Sequence, residues 1–507
     1  MKQRPEKKLS FIYSRPLGKS CDPCHDGHYR LRGVVVGEHR DFQITGFGES
    51  RSHQKRYEWM QEDFREMLVR MEALGHLQKV KKKISPQFLT ALFTAAPRAL
   101  LCESVDDYGI PVVGGLFWTR SRIAAALGWP EAELAKRFAA GVAKPIKPIV
   151  VSDAACQEVV RVDDDVDLTA LPIPFMHEKD GGPYISAGVC FAQNDEFGLN
   201  AGCYRLMFRS RREMAIDLFT ASDLRRFYEQ TYAQKRPLEV AVAIGLHAIE
   251  HMAAAYKAPP GVSEMEIAGG LRGEPVSLVR ARAVDVLVPA NSEFVLEGEL
   301  LPNGWTADEG PFGEFAGMQG DLKHNPLFRI NAITHRRSPI FYALQMPWEN
   351  DWLNGPATEA ACMRILQVAG IQVASVRATE GGCCGWSIYV SIRKRAGEGK
   401  NAIAALLSLP VVKQVIVTDD DIDIYNSAEV EWAVTFRCQA DKDIVIVSGM
   451  KAKHVDPSVR PWDLPPGQLP LTAKFGIDAT IPEGIPKFRY ERIVPAFRND
   501  VKVEDYL

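Results

Sequence analysis

Two glutamates five positions apart are the densest candidate for acid and base chemistry in this sequence. Glu309 and Glu314 bracket a Gly-Pro-Phe-Gly stretch inside DEGPFGEFAGMQGD (308–321). On a straight strand, five positions would place the two carboxylates on opposite faces. A turn or bulge at Gly310 and Pro311 would instead bring both towards one cavity, where paired carboxylates in different surroundings can divide acid and base roles. Composition alone favours the other interpretation, a solvated acidic β-turn.

An arginine in a probable strand is the second candidate. The stretch GLNAGCYRLMFRSRR (198–212) places Asn200 five residues before Arg205. An always-charged guanidinium is a natural clamp for a substrate carboxylate, and close to Glu309 and Glu314 it would keep one of them ionised. The alternative is a surface ion pair, which is the commoner state of an isolated arginine.

Cysteines occur in two patterns that suggest chemistry. The N-terminal CDPCHDGH contains Cys21, Cys24, His25 and His28, which formally suits haem attachment or a zinc cluster. Haem attachment requires export, and four zinc ligands in so short a segment are cramped, so free thiols in a loop are the favoured interpretation. The adjacent cysteines of TEGGCCGW (379–386) are interpreted as part of a buried turn.

Aromatic and acidic clusters have an ordinary structural explanation beside the functional one. Trp348 and Trp352 lie near Met346, where an aromatic ring could stack, but this composition is typical of a domain interface or oligomer contact, which we favour. Two acid-rich runs, VDDDVDLTALP (162–172) and TDDDIDI (418–424), lack the glycine and terminal glutamate of a calcium loop. We predict that both are solvated strand ends and turns.

The elements that position these residues follow from hydrophobic spacing. An amphipathic helix with a C-cap at Gly75 is predicted from apolar residues at helical intervals, namely Trp59, Met60, Phe64, Met67, Leu68, Met71 and Leu74. Short β-branched runs up to about residue 302 predict a β-rich domain, interrupted by helices at 221–234 and 246–256. Alternating strands and helices, both near 111–129 and beyond about residue 336, predict an α/β unit at each end.

Composition excludes several classes of protein. The 507 residues suggest about three domains. Because 61 Lys and Arg oppose 64 Asp and Glu, with a net charge of -3, no basic field would attract nucleic acid or an acidic membrane. The basic start is followed by no apolar run of signal-peptide length, and no run of about 18 apolar residues occurs. We therefore expect a cytoplasmic protein whose ten cysteines remain thiols.

Six ordered motifs resemble those of the UbiD-type decarboxylases, a family of prenylated-FMN-dependent (de)carboxylases. They are LPIPFMHEKDGGPYISAG (171–188), the Asn200 and Arg205 stretch, PPGVSEMEIAGGLRGEPV (259–276), VPANSEFVLEGEL (288–300), EGPFGEFAG (309–317) and GPATEAA (355–361). A looser pattern extends the resemblance to about residues 56 to 480. The resemblance implies reversible decarboxylation of an aromatic or α,β-unsaturated acid with prenylated FMN, which a separate flavin prenyltransferase supplies.

The resemblance also assigns catalytic roles. The family's catalytic Arg-Glu-Glu set falls on Arg205, Glu309 and Glu314. Glu314 would protonate the carbon that CO₂ leaves, while Arg205 paired with Glu309 would orient the substrate carboxylate and the flavin. The two glutamates therefore need different environments.

Metal and cofactor ligands are likewise implied by the resemblance. The family holds the flavin phosphate through a divalent ion, usually Mn²⁺, with K⁺ nearby. Asn200 and Glu264 match two of the ligands, and Asp223 aligns with a third that is often histidine in the family. Aspartate suits Mn²⁺ or Mg²⁺, but it is also a natural first-turn acid of a helix, and both interpretations remain open. The implied cofactor-binding residues are Asn200, Gly202, Tyr204, Arg205, Ser222 and Glu264.

The resemblance completes the expected α/β (α+β) architecture. It consists of an N-terminal extension (1–55), an N-terminal α/β domain (56–155), a flavin-binding split β-barrel (156–335) and a C-terminal α/β domain (336–507) that the family uses to oligomerise, here as a homodimer or homohexamer. Alternative functions are a carboxylase, an aryl-CoA decarboxylase or a non-catalytic subunit of a multi-subunit carboxylase. A decarboxylase that uses a metal alone would need a ligand cluster at the substrate, and the sequence offers none with adequate spacing.

Overall fold

The structure is a computed structural model that describes residues 62–218, 221–465, 468, 470–498, 500–503 and 506. The N-terminal candidates Cys21, Cys24, His25 and His28 lie outside the described residues, as do Trp59 and Met60. Within the described part, no helix has the length and apolar character needed to cross a membrane. The eight cysteines described there are all free thiols.

A small α/β unit comes first in the described chain. Its elements are α1 (Phe64–Ala73), β1 (Leu77–Val80), α2 (Leu89–Ala95), β2 (Ala99–Cys102), β3 (Val112–Gly114), α3 (Arg120–Leu127) and α4 (Leu134–Val142). A capping box starts α1, because Asp63 accepts hydrogen bonds from the backbone N–H groups of Arg65 and Glu66 while Glu66 accepts from the backbone N–H of Asp63. The predicted amphipathic helix is confirmed, and Gly75, with φ of 76°, follows its end.

A large antiparallel sheet forms the centre. The elements of this region are β4 (Ile149–Val150), β5 (Val159–Val162), β6 (Tyr184–Ile185), β7 (Val189–Asn194), β8 (Gly198–Cys203), β9 (Leu206–Ser210), β10 (Glu213–Ile216), α5 (Asp223–Ala233), β11 (Leu238–Ile244), α6 (Ala248–Ala255), α7 (Glu264–Arg272), β12 (Ser277–Arg280), β13 (Leu287–Pro289), β14 (Phe294–Leu300), β15 (Ala307–Glu309), β16 (Lys323–Asn325), β17 (Leu327–His335) and β18 (Phe341–Tyr342).

Nine of these strands form a curled half-barrel. Their order is β6-β9-β10-β17-β14-β11-β7-β8, and β5 pairs with β17. Among the described residues, β6 and β8 end the hydrogen-bonded path, which fits the expected split barrel. The middle strand β11 reads LEVAVAI and is buried along almost its whole length, as expected for a strand covered on both faces. Both helices predicted to interrupt this region, α5 and α6, are present.

A five-stranded sheet with helices completes the fold. Its elements are α8 (Glu349–Val368), β19 (Val373–Ala378), β20 (Ser387–Ile392), α9 (Glu398–Leu407), β21 (Gln414–Asp419), α10 (Ser427–Arg437), α11 (Ala440–Asp443), β22 (Ile444–Lys451) and β23 (Leu471–Asp478). The strand order is β19-β20-β21-β23-β22, in which β20, β21 and β23 are parallel. The predicted alternation of strands and helices is therefore confirmed.

One of the two acid-rich runs differs from its prediction. Asp163, Asp164 and Asp165 form an exposed turn, as expected. Asp419, in the second run, is instead buried, since it accepts a 2.6 Å hydrogen bond from the backbone N–H of Ile481 and lies 3.5 Å from the guanidinium of Arg437. Its charge is thus compensated inside the C-terminal unit rather than by water.

The buried carboxylate of Glu349 joins α8 to the first unit. Its oxygens accept hydrogen bonds from the backbone N–H groups of Gly115 (2.9 Å), Phe117 (3.2 Å) and Gln345 (2.6 Å), and from the hydroxyl of Tyr342 (2.9 Å). The strand β18, just before α8, pairs with β3 of the first sheet. Glu349 therefore fixes the position of the segment that joins β18 to α8.

Replacing this carboxylate should destabilise the fold. In Glu349→Ala, four buried donors lose their acceptor, so we expect a loss of about 3 kcal/mol or more in the free energy of unfolding. Chemical denaturation monitored by fluorescence measures the loss. The exposed Glu431 on α10 is the control, and Glu431→Ala should change stability by less than about 0.5 kcal/mol. Equal stability of the two variants would contradict this role of Glu349.

Candidate active site

A cavity of about 430 Å³ opens beside the half-barrel. Its wall is built by β8 and the residues after it, the start of α5, helices α6 and α7, and the segment 344–354, and it includes Asn200, Gly202, Tyr204, Arg205, Ser222, Asp223 and Glu264. The volume is within the range of small-molecule and cofactor sites. Seven of the residues predicted from the sequence to bind cofactor or metal therefore line one cavity.

The guanidinium of Arg205 connects three carboxylates at one end of this cavity. Its Nε and Nη2 donate to Oε1 and Oε2 of Glu309 at 2.8 Å and 3.0 Å, and its Nη1 donates to Oε1 of Glu314 at 2.9 Å. Nη2 also lies 3.1 Å from Oδ2 of Asp217. Burial alone would lower the pKa of Arg205, but the carboxylates outweigh it and raise that pKa, so the guanidinium stays charged. A surface ion pair, the alternative interpretation, is wrong.

The chain bends between the two glutamates, which brings both to the same guanidinium. Glu309 ends β15, and the next residue, Gly310, has φ of 103°, a conformation that favours glycine. A tight turn follows, in which the backbone N–H of Gly317 donates to the carbonyl of Glu314 at 2.9 Å. At Gly320 a Cβ atom would lie only 2.7 Å from Oε1 of Glu314, so glycine leaves room for that carboxylate. The interpretation as a solvated acidic turn is wrong.

The two glutamates occupy different environments. The side chain of Glu309 is fully buried and accepts hydrogen bonds from the Tyr184 hydroxyl at 3.1 Å and from Nδ2 of Asn325 at 3.3 Å. The side chain of Glu314 is 13% exposed and lies 3.3 Å from Nζ of Lys323. Among the described residues, Oε2 of Glu314 has no hydrogen-bond partner. The carboxylate of Glu309 is thus held in place, whereas one oxygen of Glu314 is available for proton transfer.

Three further side chains with oxygen atoms, those of Asn200, Asp223 and Glu264, line the same cavity. Glu264, the first residue of α7, accepts a 2.9 Å hydrogen bond from the backbone N–H of Ala201 and one of 3.4 Å from Nδ2 of Asn200. Burial raises the pKa of Glu264 to about 7, and the nearby carboxylate of Asp223 adds to this effect. Asn200 Oδ1 is buried without a hydrogen-bond partner in the described part of the chain.

These features fit a bound cation. A buried amide oxygen without a donor and two close carboxylates, one with its proton affinity raised, are stabilised by a divalent metal ion. Asp223 is the first residue of α5, and the hydroxyl of Ser222 caps that helix by accepting from the backbone N–H of Arg225. Asp223 thus serves as a first-turn acid while it lines the cavity. Among the described residues, no three His, Cys, Asp or Glu side chains lie together in a way suited to a metal, so a cation held here would also have to take the amide oxygen of Asn200.

The aromatic residues around the start of α8 contact the first α/β unit, as predicted for a domain interface. Trp352 is 1% exposed and packs inside the chain, with the guanidinium of Arg120 5.6 Å from its ring, so it is not available for an oligomer contact. Trp348 is 41% exposed and stacks on Trp118 at 4.5 Å. Met346 lines the cavity. The predicted turn at 379–386 is confirmed, since a short 3₁₀ helix there ends at two cysteines with φ near 50°.

Several site residues were missed by the sequence analysis. Asp217, Lys323 and Asn325 surround the arginine-glutamate cluster, and Lys323 is paired directly opposite Glu309 in the β15–β16 ladder. A predicted hairpin between 307 and 325 would have indicated Lys323 and Asn325, whereas no local motif marks Asp217. His251 also lines the cavity, and burial lowers its pKa to about 4, so the imidazole is neutral.

Comparisons with known proteins identify the family of this chain. Models of the 3-octaprenyl-4-hydroxybenzoate carboxy-lyase family match residues 68–141 (N-terminal domain), 149–347 (Rift-related domain) and 351–479 (C-terminal domain). The anhydromevalonate phosphate decarboxylase of Methanothermobacter thermautotrophicus is 33% identical over 414 residues, which are 80% of this chain and 93% of that protein. An uncharacterized protein from the cooM 5' region of Rhodospirillum rubrum is 33% identical over 83% of this chain and 91% of its own length.

Solved structures show the same fold. The UbiD-class enzyme HmfF from Pelotomaculum thermopropionicum, in complex with FMN, has a TM-score of 0.82 and 37% identity over 88% of this chain and 100% of that chain. An evolved dimeric form of HmfF, in complex with prFMN, has a TM-score of 0.79 and 35% identity over 88% of this chain and 100% of that one. The 3,4-dihydroxybenzoic acid decarboxylase AroY of Klebsiella pneumoniae has a TM-score of 0.79 and 27% identity over 88% of this chain and 98% of its own. The chain therefore belongs to the UbiD family of carboxy-lyases.

Proposed function

We propose that this protein catalyses the reversible, non-oxidative decarboxylation of an aromatic or α,β-unsaturated carboxylic acid with prenylated FMN. The observation that carries the proposal is Arg205, whose guanidinium binds Glu309 through two nitrogens and Glu314 through the third, at the wall of a cofactor-sized cavity. The related enzyme HmfF forms complexes with FMN and with prFMN, which supports the choice of cofactor.

The proposed reaction divides its work among three side chains. When bound, prenylated FMN supplies the electron sink for the electron pair that loss of CO₂ leaves on carbon. Arg205 binds and orients the substrate carboxylate, and Glu309 holds the guanidinium in position through two parallel hydrogen bonds. Glu314 then transfers a proton to the carbon, so that one carboxylate anion and one proton give CO₂ and a product with a C–H bond where the C–CO₂ bond was broken. The free Oε2 of Glu314 is suited to that transfer.

We propose that a second part of the cavity holds the phosphate end of the cofactor. Asn200, Asp223 and Glu264 would bind Mn²⁺ or Mg²⁺, with K⁺ nearby, and this metal would neutralise the phosphate. Gly202, Tyr204 and Ser222 all line the cavity. They would form its wall between the metal and Arg205. The unpartnered Oδ1 of Asn200 supports this assignment.

We propose that the domains of the chain are 1–55, 56–155, 156–335 and 336–507. We also propose that a flavin prenyltransferase supplies the cofactor in the cytoplasm, and that the C-terminal domain mediates self-association. Large apolar side chains exposed on that domain support self-association, among them Phe436, Ile446, Trp462, Leu471 and Phe488. A homodimer or homohexamer is the expected assembly, which sedimentation of the purified protein tests.

Cofactor content is the first test of the function. Protein co-expressed with a flavin prenyltransferase and supplied with Mn²⁺ and K⁺ should release a species with the mass of prenylated FMN, measured anaerobically by mass spectrometry. It should then release CO₂ from at least one member of a panel of aromatic acids, aryl-CoA thioesters and α,β-unsaturated acids. Folded protein that remains free of flavin would overturn the proposal, whereas protein that holds the cofactor but releases no CO₂ would favour the non-catalytic subunit.

The proton donor can be tested by removing its proton. Glu314→Gln should lower kcat by about 10²-fold or more, because an amide cannot transfer a proton to carbon. Its cofactor content should match that of wild type, as the amide retains the shape of the side chain. The exposed Glu178 is the matched control, and Glu178→Gln should keep full activity. A Glu314→Gln variant with wild-type kcat would assign proton transfer to another group.

The metal assignment predicts a different phenotype. Glu264→Gln should lose most of its bound manganese and flavin, because a neutral amide is a poorer ligand for a hard cation. Glu266→Gln, two residues further along α7, is the control and should retain both. Manganese is measured by inductively coupled plasma mass spectrometry and flavin by absorbance, with thermal unfolding to check that each variant is folded. Equal manganese content in the two variants would exclude Glu264 as a ligand.

A further inference from the structure

Lys323 lies against the carboxylate that the proposed function assigns as proton donor. Its Nζ is 3.3 Å from Oε1 of Glu314 and 3.4 Å from Oδ2 of Asp217, and its side chain is only 16% exposed. The residue begins β16 and is paired opposite Glu309, so the strand ladder fixes its backbone. Oε1 of Glu314 thus has two cationic neighbours, the ammonium of Lys323 and the guanidinium of Arg205.

Asp217 holds both of these cations in place. It follows β10 directly, and its Oδ2 lies 3.1 Å from Nη2 of Arg205 as well as 3.4 Å from Nζ of Lys323. Nδ2 of Asn325 donates to Oδ1 of Asp217 at 3.4 Å and to Oε2 of Glu309 at 3.3 Å. The Asn325 amide is itself oriented, since its Oδ1 accepts a 3.0 Å hydrogen bond from the backbone N–H of Leu218.

Three carboxylates and two cations meet in this cluster. The carboxylates of Asp217, Glu309 and Glu314 lie against Arg205 and Lys323. Both oxygens of Glu309 accept hydrogen bonds, whereas among the described residues only Oε1 of Glu314 does. Glu314 is therefore the glutamate that can carry a proton on one oxygen without losing a hydrogen bond.

A second acid-base pair, Asp180 and His177, packs against the turn that carries Glu314. The carboxylate of Asp180 accepts from the backbone N–H of Gly313 at 2.9 Å, and its other oxygen lies 3.0 Å from Nδ1 of His177. The side-chain hydrogen bond to Asp180 raises the pKa of His177, and its Nε2 lies 2.8 Å from the Met346 carbonyl. This pair compensates its own charge when His177 is protonated.

We propose that Lys323 is a positioning residue that holds Glu314 by Oε1 and sets the pH range in which Glu314 carries the proton for transfer, with Asp217 exerting the opposite effect. The inference rests on the proposed role of Glu314 as proton donor. Among the described residues that line the cavity, Lys323 does not occur, so its effect would act through Glu314. Its positive charge stabilises the ionised form of Glu314, so that the acid releases its proton readily.

Variants of Lys323 and Asp217 are expected to move the pH range of activity in opposite directions. Lys323→Met removes a positive charge beside Glu314, which makes loss of its proton harder and extends activity to higher pH. Asp217→Asn keeps the shape but removes a negative charge, so Glu314 loses its proton more easily and activity ends at lower pH. Lys323→Arg keeps the charge and should restore the wild-type range. Opposite charges at this separation shift proton equilibria by about one pH unit or more.

Rate profiles against pH test the proposal. Wild type, Lys323→Met, Lys323→Arg and Asp217→Asn are reconstituted with prenylated FMN and assayed on whichever acid wild type decarboxylates fastest in the panel. The alkaline limb of kcat should move up by about one pH unit in Lys323→Met and down in Asp217→Asn, and it should stay near its wild-type position in Lys323→Arg. A purely structural role would lower kcat without moving the limbs in opposite directions. Limbs that stay in place, or that move together, would overturn the proposal.

Infrared titration provides a readout that does not depend on turnover. The carboxylic C=O stretching band of Glu314 is identified as the band lost in Glu314→Gln and is followed against pH in the full-length protein. Its midpoint should shift in the same two directions, with thermal unfolding as the check that each variant is folded. If wild type decarboxylates no acid but the band shifts as stated, the proposed function fails alone. If wild type is active and the band does not shift, the role of Lys323 fails alone.

Discussion

The bidentate ion pair between Arg205 and Glu309 is the interaction on which the site depends. It joins two segments that are 104 residues apart in the chain, and it is almost completely buried, so neither charge can be left alone without a large cost in free energy. The half-barrel satisfies this constraint by placing the end of β8 beside the hairpin of β15 and β16. Tyr184 and Asn325 then occupy the remaining acceptor positions of Glu309.

Because Glu309 binds two nitrogens of the Arg205 guanidinium, the third nitrogen is left to position the proposed proton donor. Nη1 contacts Glu314, and Nη2 also contacts Asp217, so a single planar group fixes three carboxylates in one geometry. The phenyl ring of Phe312 lies 4.7 Å from the guanidinium carbon and covers its face. A lysine in place of Arg205 could not make these contacts at once, because an ammonium is a point charge without a rigid fork.

Hydrophobic spacing was sufficient for the order of α/β and β-rich units, whereas most of the residues around the cavity were identified through the resemblance of six ordered motifs to the UbiD-type decarboxylases. A glycine next to a proline, between Glu309 and Glu314, marks the bend that unites them, and hydrophobic spacing marks α1 and the interrupting helices. The prediction from composition was wrong where a tertiary contact allows burial. Asp419 is buried because Arg437, on α10, compensates its charge. Asp217 and Lys323 escaped prediction for the same reason, since only the sheet register brings them to Arg205.

One strand connects the two chemical ends of the cavity. Asn200 lies on β8 and Arg205 follows that strand by two residues, so five residues separate the proposed metal ligand from the proposed substrate clamp by about 16 Å at full extension. The first contacts Glu264 on α7, and the second contacts the hairpin of Glu309. A change in the path of β8 would therefore alter the metal end and the acid-base end together. Buried carboxylates accordingly hold this segment at two points, because Glu264 on α7 binds Asn200 and Ala201 within β8 and Glu309 on β15 binds Arg205 just after it.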